Sequence, residues 1–350
     1  MKLNKLTLIA FISTSILFSV IFLSGCTTKE RNSIEYLCFS NDGEKLISFS
    51  TGQGSYDLFV WDISNGNKIF EKHPLSYNHA FFSPGGNYIV FGASIYNIST
   101  GSLITKLPGN YKDWSDGGKI VTTNGSKFSV EIEIWSGTNF SKIKTIQLNE
   151  AIIPSIGVKI HKNLLTYVPQ GKNSPTIMDI RTDNKSSLAN STIKFTESSA
   201  GSNYNWLEDG KELGLIYSDF SNFYIINWNS TNGDIIYNKS STEVCMDYIS
   251  KDLKKYVCSK DKKIEIYDFQ TDSKISDIEV ETPSTIGWYR DNSLIAIGDY
   301  NGVIKIFNTS TGNCLQTLKT PVYENSPGFE LLLIFISIVL ILFYFKAKRS

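Results

Sequence analysis

A short unit recurs seven times in this chain, and no other feature restricts its possible folds as strongly: an aromatic or aliphatic residue, a tight polar turn and an apolar run. The copies are Phe39-Ser40-Asn41-Asp42-Gly43, Phe82-Ser83-Pro84-Gly85-Gly86, Trp114-Ser115-Asp116-Gly117-Gly118, Ile160-His161-Lys162-Asn163, Trp206-Leu207-Glu208-Asp209-Gly210, Ile249-Ser250-Lys251-Asp252 and Tyr289-Arg290-Asp291-Asn292. They return every ~42 residues, which is the length of one supersecondary unit that cannot bury its apolar surface alone.

A second unit runs in phase with the first. Leu58-Phe59-Val60-Trp61-Asp62 turns through Asn65-Gly66, Ile95-Tyr96-Asn97 through Thr100-Gly101, Ile264-Glu265-Ile266-Tyr267-Asp268 through Thr271-Asp272, and Ile304-Lys305-Ile306-Phe307-Asn308 through Thr311-Gly312. The middle copies, Glu133-Ile134-Trp135, Ile177-Met178-Asp179 and Ile225-Ile226-Asn227-Trp228, have weaker turns. Both units alternate with period two, so they read as strands, and the glycine, aspartate and asparagine turns supply the positive φ that tight hairpins need. Each period then holds four strands. One such sheet leaves both faces bare, whereas seven set radially cover one another. The expectation is an all-β, seven-bladed β-propeller of four-stranded blades over residues 33–320. A pair of β-sandwiches would not demand seven copies in phase. How the ring closes is open at this level: the first strand of the chain could complete the last blade, or Cys314-Leu315-Gln316-Thr317-Leu318 could do so from within blade seven.

At these positions the chain resembles WD-repeat and related propellers, whose blades carry a Phe-Ser-Pro-Asp-Gly-like turn and a third strand ending in Trp-Asp. Only blade one keeps a literal Trp61-Asp62, and no Gly-His dipeptide occurs, so the resemblance does not extend to the hydrogen-bonded tetrad of true WD repeats. The Thr-Gly turns also resemble quinoprotein-type repeats.

Outside the repeats, Lys2 and Lys5 precede an apolar run from Leu6 to Leu23, so residues 1–25 read as a secretory signal peptide. Leu23-Ser24-Gly25-Cys26 resembles the lipobox of secreted lipoproteins, which implies a lipid on Cys26 and a tether over 26–32. At the other end an apolar stretch, 331–345, precedes the basic tail 346–350, the pattern of a transmembrane helix with a cytoplasmic tail. As a helix it spans roughly 22 Å of a ~30 Å hydrocarbon core, enough to anchor with help from its flanks. Within the linker 321–330 stand Pro327, Gly328 and Phe329, and this order of motif, apolar helix and basic tail resembles the sorting signal of archaeal surface proteins, in which a lipid replaces the helix. The alternative is a simple tail anchor. Either way the propeller is expected on the outer face of the cytoplasmic membrane.

Eight Asn-x-Ser/Thr triplets, at Asn97, Asn124, Asn139, Asn184, Asn190, Asn229, Asn238 and Asn308, fit an exported chain and are glycosylation candidates. The net charge of zero and the lack of any basic block between the ends argue against nucleic acid as a partner. Beyond Cys26 only Cys38, Cys245, Cys258 and Cys314 remain, too scattered for a disulfide framework or a zinc site. Cys245 and Cys258 could face each other across a hairpin as a disulfide, or remain buried thiols.

Catalytic motifs are sparse. The chain lacks a Gly-x-Ser-x-Gly elbow, a phosphate-binding glycine loop and a calcium loop. His73, His79 and His161 do not stand at metal-ligand spacing and read as loop and turn residues. Asp42, Asp116, Asp209, Asp252 and Asp291 recur at one turn, where hairpin formation explains them better than a cation site. Trp114, Trp206 and Trp288 read as packing residues between blades rather than as a quinone-binding set. No catalytic residue, metal or cofactor is therefore predicted. The expected role is a non-catalytic scaffold that binds a protein or glycan partner, with specificity in the long loops Pro169–Pro175 and Leu188–Asn203. A propeller enzyme, of quinoprotein-like oxidoreductase or lactonase-like hydrolase type, and an envelope-structural protein are the alternatives.

Overall fold

A computed structural model describes residues 32–321, except 53–54, 75–78, 127–128, 154–156, 192–194, 196–200, 219–222, 242–247, 251, 261 and 282. The expected signal peptide, Cys26, the Pro327-Gly328-Phe329 motif and the apolar stretch 331–345 lie outside the described residues, as does Cys245. Among the described residues no helix is long and apolar enough to cross a membrane.

The described residues form seven four-stranded antiparallel sheets, each built from consecutive strands in chain order. Blade one comprises β1 (Ser33–Phe39), β2 (Lys45–Gly52), β3 (Ser55–Asp62) and β4 (Lys68–Lys72), and the later blades repeat this order. The first strands lie innermost: β1 runs beside β5 (Ala80–Phe82) and β25 (Pro283–Trp288), and β13 (Val158–His161) runs beside β9 (Asn110–Trp114) and β17 (Gly201–Leu207). Side chains of alternating strands fill the spaces between blades. One such layer joins Ile47, Phe49 and Val60 of blade one to Ala80 and Ile89 of blade two.

The ring closes without strand exchange, because β28 (Cys314–Lys319) pairs with β27 (Val303–Asn308) of its own blade. Side-chain packing joins the first blade to the last instead: Ile34, Leu37 and Phe39 pack with Ala296, Ile304, Ile306 and Leu318. Gln316 Nε2 donates to the Ile63 carbonyl at 3.1 Å and Ser284 Oγ to that of Ile34 at 2.7 Å. The approach requires glycine, since a Cβ on Gly298 would lie 2.6 Å from the Ile34 side chain and one on Gly287 2.9 Å from the Leu37 carbonyl oxygen.

The turn from third to fourth strand is the most regular part of the molecule. Each begins at an Asp, Asn or Ser (Asp62, Asn97, Ser136, Asp179, Asn229, Asp268, Asn308) whose side-chain oxygen accepts a nearby backbone N–H. Four residues later φ is positive in every blade, at Gly66, Gly101, Phe140, Asp183, Gly233, Asp272 and Gly312. The outer strand then carries a β-bulge in every blade but the fourth. Its extra residue is aliphatic and exposed: Ile69, Ile104, Ile143, Ile236, Ile275 and Leu315. A bulge breaks the regular ladder a foreign strand would need, so it blunts an edge that would otherwise promote association.

Candidate binding rim and channel mouth

Turns joining first to second and third to fourth strands gather on one rim, and the remaining connections on the other. On the first rim the inner turns interlock. Asn41 Nδ2 of blade one donates to Asp116 Oδ1 of blade three at 3.1 Å, Tyr289 Oη of blade seven to the Asn41 carbonyl at 3.3 Å, and Lys162 Nζ of blade four to Asp209 of blade five at 3.2 Å. Three of the recurring aspartates brace their own turns, while Asp116 and Asp209 pair across blades. Asp42 and Asp252 accept from Ser40 and Ser250 hydroxyls, and Asp291 accepts from the Ser293 N–H at 2.8 Å. The Lys162 hydrogen bond and charge hold Asp209 below the usual carboxylate range.

Most of the sequons belong to this same turn chemistry. Asn97, Asn229 and Asn308 open outer turns, Asn139 Oδ1 accepts from the Ser141 N–H at 3.1 Å, and the Asn184 carbonyl accepts from the Asp179 N–H at 3.0 Å. Asn124 Nδ2, the atom a glycan would use, donates to buried Glu133 at 3.2 Å. Asn190 and Asn238 are exposed, Asn238 on outer strand β20 (Ile235–Ser241) and Asn190 on the other rim.

On that other rim the connections differ from blade to blade. The two long loops expected to carry specificity touch each other, since the Ser191 N–H and Oγ both donate to the Asn173 carbonyl, at 2.9 and 2.8 Å. The second loop is also partly core. Leu188 and Phe195 are buried with Tyr204, Leu213 and Trp228, and Trp228 Nε1 donates to the Ala189 carbonyl at 3.0 Å. A Ser-rich stretch hides those two anchors from a reading by composition.

At the channel an aromatic cluster spans the inner strands of three blades. Phe81 stands 6.4 Å from Tyr36 and 5.4 Å from Tyr111 between ring centroids, and His79 stands 5.3 Å from Tyr36. Phe81 thus touches the blades on both sides of its own, so it faces the channel. Burial lowers the His79 pKa and favours its neutral form, and burial together with the Asp113 charge raises the Tyr111 pKa. Beside the rings, Asp113 ties blade three to blade four. Its carboxylate accepts from the Ile160 N–H at 2.9 Å and from Lys159 Nζ at 3.4 Å.

Lys112 is the extra residue of a bulge in β9, since Val121 pairs with Asp113 and Thr122 with Tyr111. Bulges re-aim side chains and are frequent beside functional sites. Its ammonium is half-buried and makes no ion pair or hydrogen bond among the described residues, and burial together with the charge of Lys159 lowers its pKa. Sequence reasoning missed Lys112 because Asn110-Tyr111-Lys112-Asp113-Trp114 reads as a plain strand. Only its pairing with β10 (Lys119–Ser126) exposes the extra residue.

Blade one also holds two hydrogen-bonded pairs that no dipeptide announces. Trp61 Nε1 donates to Ser48 Oγ at 2.7 Å, and His73 Nδ1 lies 2.6 Å from Asp57 Oδ1, with Glu71 at 2.9 Å from Nε2. Blade three repeats the first pair, as Trp135 Nε1 donates to Thr122 Oγ1 at 3.0 Å. These pairs connect strands inside a blade, which is a packing role. Trp288 is buried and Trp206 and Trp114 are partly buried between blades, as expected of packing residues. Cys258 is buried on β22 (Lys255–Lys260). Among the described residues no group of three or more His, Cys, Asp or Glu is placed to hold a metal ion.

No protein-family profile matches the sequence, and no curated protein does. Solved structures do. Kluyveromyces lactis Hsv2 with loop 6CD replaced by a Gly-Ser linker superposes with a TM-score of 0.54 at 14% identity, over 83% of this chain and 100% of that one. Two further structures, one of Kluyveromyces lactis Hsv2 and one with complete loop 6CD, each give 0.52 at 15% identity over the same shares. At these identities the likeness speaks to architecture: the chain is a seven-bladed β-propeller of four-stranded blades.

Proposed function

We propose that this chain is a non-catalytic interaction module. A lipid on Cys26 and the C-terminal apolar segment with its Pro327-Gly328-Phe329 signal hold it at the outer face of the cytoplasmic membrane. It binds a protein or glycan partner through the irregular rim. The observation that carries this reading is the contrast between rims. One carries an outer turn of one length repeated in seven copies, and the connections on the other run from two residues to thirteen, as loops that carry specificity on a rigid scaffold do. The sequons and the signal-like leader fit the same placement.

The test uses full-length protein in its native membrane, with a photo-crosslinking residue at Asn190 on the irregular rim or at Asn65 on the regular one. The expected result is an adduct of one defined mass from position 190 and none from 65, on protein whose intact mass begins at a lipidated Cys26. Equal adducts at both positions, or none at either, would overturn the binding reading. A mass that retains residues 1–25 would overturn the anchor.

A further inference from the structure

Lys112 presents an unusual combination. It sits on an innermost strand, at a bulge, half-buried and without a counter-ion among the described residues, one residue beyond Tyr111, whose ring contacts that of Phe81. The other ammonium nearby, Lys159, is already satisfied by Asp113. An unpaired charge held partly out of water destabilises the fold, and proteins retain such groups where a ligand supplies the missing partner. Phe81 and Tyr111 are in ring contact and only partly buried, so together they offer flat apolar surface.

We propose that the channel mouth beside blades two to four binds a carboxylate attached to a flat apolar body, with the carboxylate on the Lys112 ammonium and the body against Phe81 and Tyr111. This rests on the irregular-rim reading and gives that rim its ligand chemistry.

Phenylacetate is the probe, titrated by calorimetry into the full-length protein in nanodiscs. Phenylacetamide, of the same shape without charge, and inorganic phosphate, charged without a ring, are the comparators. The expected result is saturable binding of phenylacetate, at least ten-fold weaker binding of both comparators, and a loss of at least ten-fold for phenylacetate in Lys112→Met. Lys112→Arg should retain most of the affinity, and Lys106→Met, on an outer strand, should change nothing. Unaltered binding in Lys112→Met, or phenylacetamide binding as well as phenylacetate, would overturn the charge pairing. Phosphate binding as tightly as phenylacetate would show an adventitious anion spot and overturn the proposal. If Lys112→Met does not fold, the comparison of phenylacetate with phenylacetamide on the unmodified protein decides it. Absence of phenylacetate binding together with an intact Asn190 adduct would sink this site while leaving the rim reading standing.

Discussion

The two rims of this propeller are built by opposite rules. On the regular rim every outer turn has the same length, opens on a side-chain oxygen acceptor and reaches positive φ at the same step, so each satisfies its own backbone within six residues. On the irregular rim the connections from one blade to the next run from three residues, 107–109, to thirteen, 188–200. They are fixed by tertiary contacts such as Leu188 and Phe195 in the core rather than by local turns. A rim whose geometry is repeated seven times has little freedom to vary its surface. One that hangs on a few buried anchors can change its exposed residues freely, which makes it the place for recognition.

The regular rim should be the one that resists substitution. Gly312 has φ +70°, and a Cβ there would meet the Asp277 carbonyl oxygen at 2.7 Å. Gly312→Val should therefore lower stability by roughly 3 kcal/mol, from backbone strain and overpacking together. Asn190→Ala on the irregular rim should stay within about 0.5 kcal/mol. Urea unfolding of the two variants beside the unmodified protein decides the matter, and equal losses would erase the distinction between rims.

Acid should attack the regular rim as well. Arg181, through its side-chain and backbone hydrogen bonds, brings the Asp179 pKa down to about 2, and the Thr271 N–H and hydroxyl lower that of Asp268. A carboxylate whose folded pKa lies below its unfolded value near 3.9 contributes stability that is complete above that value and lost as pH falls toward the folded one. Urea midpoints should decline between about pH 4 and pH 2. Asp179→Asn should flatten part of that decline, and a decline of unchanged steepness would mean these turns contribute nothing to it.

The difference between rims also governs what the sequence discloses. The outer turns are legible because their chemistry is local: Asp62 to Asn67 or Asn308 to Asn313 can be read in isolation, and seven copies in phase then imply seven blades. Closure is less legible, since it depends on Ile34 meeting Gly298 across almost the whole chain. The site at the channel is hidden for the same reason. Nothing in the order Tyr111-Lys112-Asp113 separates a bulge residue from a regular one, and Phe81 reads as core until its neighbours on both sides are known. The sequons carry two readings at once, because turn formation accounts for Asn97, Asn229 and Asn308 whether or not they carry a glycan.

A residue retained for a ligand should also differ from a turn residue in the sign of its effect on stability. The folded pKa of Lys112 lies below its unfolded value, so at neutral pH its charge opposes folding, and that opposition fades as pH rises through the folded pKa. Lys112→Met should accordingly melt slightly higher than the unmodified protein at pH 7, with the gain shrinking toward pH 10, whereas removal of a turn residue such as Asp268 should lower the melting temperature. A lower melting temperature for Lys112→Met would mark Lys112 as a structural residue.

The smallest effect expected is that of Glu35, the extra residue of a second inner-strand bulge, where Ile34 pairs with Ser50 and Tyr36 with Phe49. It is exposed, and its carboxylate accepts from Thr51 Oγ1 at 3.2 Å. As an acid on an innermost strand it opposes any anion in the channel, though across solvent that screens over ~10 Å at moderate salt. Glu35→Gln should strengthen phenylacetate binding by about two-fold at low ionic strength and by nothing measurable at high salt. Calorimetric titration at two salt concentrations reads this directly. A gain that persists at high salt would mean that Glu35 touches the ligand, and would enlarge the site from blades two to four to include blade one.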